Sequence, residues 1–233
     1  MAARMFFGAI GAALVIVTAF LGPGNAAPSH STTRHFSARV TNPWFPLRPG
    51  TRYVYTGEKD GTPMRDIVFV THRIKKIDGA PCITVRDRVY MKGHLRERTL
   101  DWYTQDARGN VWYYGEKTAE LDKRGRVVST EGSWRTGVNG AKPGIFMPAR
   151  PRVGQAFRQE YLKGHAEDHF KVIGIFRTVV GGRKANGLLT KEWTPLEPGV
   201  IDHKMYTRGI GEVLEQSEKG GNERGELVSV RRG

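Results

Sequence analysis

The sequence predicts an all-β protein: a long-stranded antiparallel meander forming a curved sheet, a half-barrel or a barrel. Three observations lead there. Helical periodicity is weak after residue 30, which leaves amphipathic helices without support. Turn signals at Asp60-Gly61, Asp78-Gly79, Lys92-Gly93, Arg108-Gly109-Asn110 and Arg124-Gly125 recur roughly every 14 to 18 residues, the punctuation of hairpins. Between them lie runs rich in β-branched and aromatic residues, which fit a pleated surface. Strands of roughly ten residues, about 33 Å long, twist, and a sheet of them curls.

The elements follow in order. Strands are expected at 51–58, 64–77, 82–91, 95–105, 110–121 and 126–134, each bounded by one of those turns. Residues 135–155 hold Gly137, Gly140, Pro143, Gly144, Pro148, Pro151 and Gly154, too many turn formers for regular structure. Their apolar Ile145-Phe146-Met147 is expected to fold over an edge or a cavity mouth. A second block is expected at 156–162, 166–180, 187–194, 201–207, 211–219 and 225–231, the two blocks reading as halves of one curved sheet with no repeat between them. Asp106 to Trp112 resembles a propeller-blade turn, but a propeller needs several copies and one is present, so it reads as a tight hairpin.

The N-terminus sets the compartment. Arg4, the apolar run Met5–Leu21 and Gly22-Pro23-Gly24-Asn25-Ala26 have the layout of a secretory signal peptide over residues 1–26; the alternative is a retained membrane anchor at the short limit for a span. No cysteine follows the run, against a lipid anchor. Residues 27–41 read as a flexible tether and 42–233 as a single β domain, secreted or in the extracytoplasmic cell envelope. The lone Cys82 excludes an internal disulfide and, in Pro81-Cys82-Ile83-Thr84-Val85, reads as a buried thiol.

The formal charge is +14. Loss of residues 1–26 removes only Arg4, leaving +13. An exported chain this basic suits an anionic lipid or cell-wall polymer surface, with peripheral membrane contact; the plainer alternative is Arg usage for solubility. No nucleic-acid recognition module is visible.

Four phrases stand out: Asn42-Pro-Trp-Phe-Pro-Leu-Arg-Pro-Gly50-Thr-Arg-Tyr-Val-Tyr, Asp101-Trp-Tyr-Thr-Gln-Asp106, Glu192-Trp-Thr-Pro-Leu-Glu-Pro-Gly199 and Arg208-Gly-Ile-Gly-Glu-Val213. On them the chain resembles an uncharacterised family of exported bacterial β-rich proteins over roughly residues 42–230. The first and last phrases are also similar to envelope proteins of the lipoprotein-carrier type, which implies a concave face able to hold an acyl chain. Neither resemblance supplies a catalytic residue.

The densest polar cluster is Gly164-His165-Ala166-Glu167-Asp168-His169-Phe170-Lys171-Val172. On a strand, His165, Glu167, His169 and Lys171 share one face, and Ala166, Asp168, Phe170, Val172 and Phe176 the other. His165, Glu167 and His169 form a candidate metal triplet for zinc or another divalent ion, with Glu160 or His203 as a fourth ligand; a solvated outer face is the plainer reading, and Lys171 supports it. No other cofactor is expected. On the apolar face Asp168 needs a partner; Arg158, Arg208 and His203 are candidates, His203 being expected inward with Ile201 and Met205. Asp168, His203 and Arg208 are the candidate ligand-binding residues, or a pin for strand register.

No serine or cysteine has a nucleophile context. Trp102, Tyr103, Trp112, Tyr113, Tyr114 and Trp134 suggest core pairs or a sugar-stacking platform. Glu116/Glu120 and Glu97/Asp101 are carboxylate pairs of the kind glycoside hydrolysis uses. The expected function is a secreted, non-enzymatic cell-envelope β domain binding a lipophilic or anionic ligand; the alternative is a metal- or carboxylate-dependent hydrolase of envelope polymers.

Overall fold

The computed structural model describes residues 35–233. Their regular structure is all strand: β1 (Phe36–Ser37), β2 (Arg52–Lys59), β3 (Thr62–Ile77), β4 (Ala80–Met91), β5 (His94–Asp106), β6 (Val111–Leu121), β7 (Val127–Ser129), β8 (Trp134–Arg135), β9 (Lys142–Met147), β10 (Ala156–Arg158), β11 (Glu160–Tyr161), β12 (His169–Val180), β13 (Arg183–Trp193), β14 (Ile201–Thr207), β15 (Gly211–Lys219) and β16 (Glu223–Arg231). The signal peptide and the first part of the expected tether lie outside the described residues.

Local sequence chemistry makes these strands. In the turns Asp60-Gly61, Asp78-Gly79 and Lys92-Gly93, both residues have positive φ, from 45° to 80°. That is the geometry of a two-residue hairpin turn whose twist matches its strands. Lys59 therefore pairs with Thr62, Ile77 with Ala80 and Met91 with His94.

One antiparallel sheet of sixteen strands results, in the order β10-β12-β13-β14-β15-β16-β2-β3-β4-β5-β6-β9-β11, with β1 on β5 and β7 and β8 on β6. The two ends of that path, β10 and β11, are separated only by Gln159. The sheet is thus nearly closed into a barrel, with one unsealed seam at residues 158–160. The walls meet closely there: a Cβ on Gly144 would lie 2.1 Å from the Arg158 carbonyl oxygen, so only glycine fits.

Several sequence expectations change here: the strand expected at 126–134 is two short pieces, β7 and β8, and that at 156–162 is split into β10 and β11. Residues 135–155 contain a strand, β9, which pairs with β6 and β11; its Pro143 lies beyond the β6 pairing, opposite Glu160 at the short seam. Residues 36–41 of the expected tether are built into the wall. Phe36 stands edge-on to Tyr114 at 5.4 Å, and buried Val40 bridges to Leu47.

The wall has two apolar faces. The interior holds the main core, including Tyr53, Tyr55, Val70, Ile83, Tyr103, Tyr113, Trp134, Phe146, Phe170, Leu188 and Tyr206. A smaller cluster on the opposite face holds Ile77, Ala80, Cys82, Trp102 and Tyr114 under Phe36. The six aromatics noted in the sequence are thus split between two faces as core pairs. Cys82 is fully buried, and burial pushes its thiol up to about 12, which keeps it inert.

Antiparallel pairing also gives the barrel two ends. The upper end gathers residues 42–50, the β3–β4, β5–β6 and β14–β15 turns, and the tip of the β12–β13 hairpin. The chain end joins it, since Gly233 N–H donates to Gly50 O at 3.2 Å.

Candidate functional site

The site grows from the upper end. Asn42 opens the segment that enters the barrel. Its Oδ1 accepts from Trp44 N–H at 2.8 Å, and its Nδ2 donates to Gly109 O at 2.9 Å and Pro148 O at 3.1 Å. Gln105 Oε1 accepts from the Thr41 and Asn42 N–H groups, both at 2.8 Å. Trp44 and Leu47 are thereby held in the core, and Phe45 and Pro46 are left at the rim. The β14–β15 turn docks on the same segment: Gly209 N–H donates to Pro43 O at 2.6 Å. Tyr53 Oη donates to Pro46 O at 3.1 Å and Tyr55 Oη to Glu212 O at 3.2 Å.

Between these pieces lies a cavity of about 80 Å³, partly open to solvent. Phe45, Pro46, Leu47, Ile210, Gly211 and Glu212 line its upper part, and Tyr53, Tyr55, Val68, Val85, Tyr103 and Phe146 its walls. Asp66, Asp87, Asp101 and Lys204 form the polar part. The volume accommodates several waters or part of a small organic molecule. An apolar wall with a few convergent polar groups is the usual make-up of a ligand site.

Below the aromatic walls the interior is acidic. Asp66, Glu97, Asp101, Glu116, Glu120, Glu160, Asp168, Glu192 and Glu215 are buried, and Lys204 is the only buried Lys or Arg among the described residues. Strand register sets several carboxyls face to face: Glu97 opposite Glu120, and Asp101 opposite Glu116. Like charges so placed repel, and burial alone disfavours ionisation. For Asp66, Asp87, Glu97 and Asp101 the result is titration at or above neutral pH. Burial pushes Asp66 up to about 7; burial and then the charge of Asp87 push Glu97 and Asp101 up to about 8. Burial and then Asp66 hold Asp87 well above the usual carboxylate range. Asp66 and Asp87 both line the cavity, so the charge of one opposes ionisation of the other. Tyr113 Oη donates to Asp101 Oδ1 at 2.7 Å, fixing one carboxyl that faces the cavity.

Lys204 is the counterweight. Its Nζ lies 3.2 Å from Glu192 Oε2 and 3.5 Å from Glu215 Oε1. Thr190 Oγ1 donates to Glu192 Oε1 at 3.0 Å. Burial alone would lower the Lys204 ammonium, but Glu192, Glu215 and Glu212 hold it well above its ordinary value.

The residues singled out in the sequence are dispersed. β14 turns Asp202, Lys204 and Tyr206 inward, pairing Lys204 with Thr190 and Glu215. His203 therefore faces outward, against the expectation, with Nδ1 3.5 Å from Glu218 Oε2. The inward charge on Lys204 is matched by two carboxylates, a pairing that apolarity along one strand does not reveal. Asp168 and Ala166 are buried just before β12, and Phe170 and Val172 are buried within it. Arg208 is exposed in the β14–β15 turn, beside cavity-lining Ile210. A register shift between Val172 and Gly174 reverses the alternation, so Phe176 faces out.

His165, Glu167 and His169 do not form a ligand set: among the described residues no three His, Cys, Asp or Glu side chains gather for a metal. The strand begins only at His169, and a tight turn precedes it. Glu167 Oε1 accepts from Gly164 N–H at 2.7 Å, and the His169 ring stacks on Trp193 at 5.5 Å.

The sequence reading missed Asp66, Asp87, Lys204, Glu212 and Glu215. Alternation held the signal for the first two, since Asp66 is in phase with Met64 and Val70, and Asp87 with Val85 and Val89, all buried.

No family model matches the chain, and no curated protein does. Among solved structures, a candidate lipoprotein from Parabacteroides distasonis ATCC 8503 is similar at 10% identity, with a TM-score of 0.43 over 81% of this chain and 98% of that one. A likeness of that size carries no argument. The resemblance to exported proteins rests on the four phrases, and these converge in space. Residues 42–50 and 208–213 build the cavity mouth, Asp101 and Tyr103 line it, and Glu192 holds Lys204.

Proposed function

We propose that this protein is a non-enzymatic β domain of the cell envelope that holds a small lipophilic ligand in its barrel. The observation that carries the reading is the partly open cavity, walled by Phe45, Tyr53, Tyr55, Tyr103 and Phe146 and floored by Asp66, Asp87 and Asp101. Its walls suit an apolar body. Its floor favours a neutral or cationic polar end, because the lining's one cation, Lys204, is already matched by Glu192 and Glu215, so an anion beside the three aspartates lacks a counter-charge. An anionic partner is therefore assigned to the outer surface, where the chain's positive charge lies. The signal-like N-terminus supports the envelope compartment.

The test is binding of N-phenylnaphthylamine, a neutral apolar fluorophore, to the chain from residue 27 onward. Val68→Phe fills the cavity and is expected to weaken the probe at least tenfold. Phe45→Ala, at the rim, is expected to weaken it less. Unchanged affinity in Val68→Phe with the fold intact by circular dichroism overturns the reading. Release of sugar or peptide fragments from envelope polymers, abolished by Asp101→Asn, would instead support a carboxylate-dependent hydrolase, in which Asp101 supplies the proton.

A further inference from the structure

The β12–β13 hairpin does not end with the barrel. The last β12 residue bonded on its outer side is Val172, whose N–H donates to Gln155 O and whose carbonyl accepts from Gly154 N–H, both at 2.9 Å, and the last β13 residue paired to β14 is Gly187, opposite Thr207. Beyond them the two strands pair only with each other, from Arg177/Asn186 to Val180/Arg183, while Gly174, Ile175 and Phe176 pair with Leu189, Leu188 and Gly187 of the β14 ladder. Residues 174–186 thus form a two-stranded ribbon rising from the upper end, its β12 edge unpaired from Gly174 onward and its β13 edge unpaired up to Ala185. Its base is tied to the cavity rim, where Arg208 N–H donates to Asn186 O at 3.1 Å.

The composition of this ribbon is unlike that of the rest of the wall. No Asp or Glu occurs between Asp168 and Glu192. Val179 is 63% exposed, Ile175 47% and Phe176 37%, and Arg177, Arg183 and Lys184 are exposed beside them. Register puts Ile175, Arg177, Val179 and Lys184 on one face, and Phe176, Val180 and Arg183 on the other. Each face therefore combines apolar side chains with cations. An unpaired ribbon that displays large apolar groups in water is an aggregation hazard. Exposed apolar side chains interleaved with cations and free of carboxylates match the boundary between anionic headgroups and acyl chains. Arg48, Arg208 and Arg232 are exposed around the same end and add to the positive field there.

We propose that residues 174–186 are a membrane-docking finger. Ile175, Phe176 and Val179 enter the acyl boundary of an anionic bilayer, while Arg177, Arg183 and Lys184 meet its phosphates. Docking in this way turns the cavity mouth, at the same end, toward the lipid. The inference stands on the ribbon alone and does not depend on what the cavity holds.

The experiment uses the chain from residue 27 onward, with phosphatidylcholine vesicles either pure or containing one-third phosphatidylglycerol. Cosedimentation with the anionic vesicles is expected, weak with the neutral ones, and falling steeply with salt. Combined Arg177→Gln, Arg183→Gln and Lys184→Gln is expected to weaken partitioning about 100-fold, at roughly fivefold per cation. Val179→Trp reports depth: its emission should shift to the blue and be quenched by acyl-chain bromines. N-phenylnaphthylamine affinity should be unchanged in the triple variant, which separates failure of the finger from failure of the cavity reading. The proposal is overturned if the triple variant binds anionic vesicles as the parent does. It is overturned equally if Trp at 179 stays water-exposed on bound vesicles, or if soluble wall polyanion binds the ribbon and anionic vesicles do not.

Discussion

The barrel interior and the β12–β13 ribbon are opposite solutions to the same problem of placing charge. The interior buries nine carboxyls around a single buried cation, Lys204, in a chain whose net charge is +14. The ribbon is acid-free and exposes both its cations and its apolar side chains. Net charge is thus a property of the surface alone: with acids drawn inside, the outside is more basic than the composition suggests. The interior tolerates its acids by raising groups such as Glu97 and Asp101 to about 8 and by setting Lys204 between Glu192 and Glu215, whereas the ribbon leaves Ile175, Phe176 and Val179 exposed.

Removing Lys204 should break this comparison most severely. Lys204→Met leaves Glu192 and Glu215 facing each other without a cation, and loss of one partner from a buried charged network costs about 3–5 kcal/mol. Urea unfolding should show that loss. Arg183→Gln on the ribbon should stay within about 0.5 kcal/mol, as surface changes do. Equal effects at the two positions would mean that the interior network carries no particular weight.

The second effect is on pH. The unfolded carboxyls titrate near 3.8 for Asp and 4.5 for Glu, whereas folded Asp66 sits at about 7 and folded Glu97 and Asp101 at about 8. Between those limits the native state holds more protons than the unfolded chain, so stability falls as pH rises from about 4 to about 8. Thermal melts at pH 5 and pH 8.5 measure it, each kcal/mol moving Tm by roughly 2–4 °C in a chain this size. Surface carboxylates and histidines also titrate, so the informative quantity is the difference from Glu97→Gln with Asp101→Asn, which should flatten the slope. A parent that is no more pH-sensitive than this double variant would mean both groups are ionised inside the barrel.

How much of this was legible in the sequence depends on whether a signal was local. Strand positions were, because two-residue turns such as Asp78-Gly79 declare themselves. β9 was hidden by Pro143 and Gly144, residues that disfavour a strand, although at the seam only glycine fits at 144 beside the Arg158 carbonyl. The inward face of β14 was hidden for another reason. Ile201, His203 and Met205 look like the apolar face, and only the carboxylates of β13 and β15 make Lys204 an interior residue. The acidic interior is therefore a property of six or more strands read in phase together. Glu97/Asp101 and Glu116/Glu120 were visible as pairs, but Asp66 and Asp87 join them only through register. Phe176 was assigned to a strand correctly and to a face wrongly, because the shift after Val172 leaves no mark in the sequence beyond Gly174.

The smallest expected effect tests the outer face of the same wall. Phe36 covers the Trp102, Tyr114 and Cys82 cluster from a segment whose sequence reads as a tether. It is only partly buried, so Phe36→Ala should cost about 1–2 kcal/mol, less than truncation of a full core aromatic. The sharper readout is the thiol. Burial alone holds Cys82 at about 12, so labelling by a maleimide at pH 7 is expected to be negligible in the parent and measurable in Phe36→Ala, since local opening becomes more frequent. If Cys82 labels equally in both, the N-terminal strand does not cover the wall, and the expectation of a free tether returns for residues 36–41.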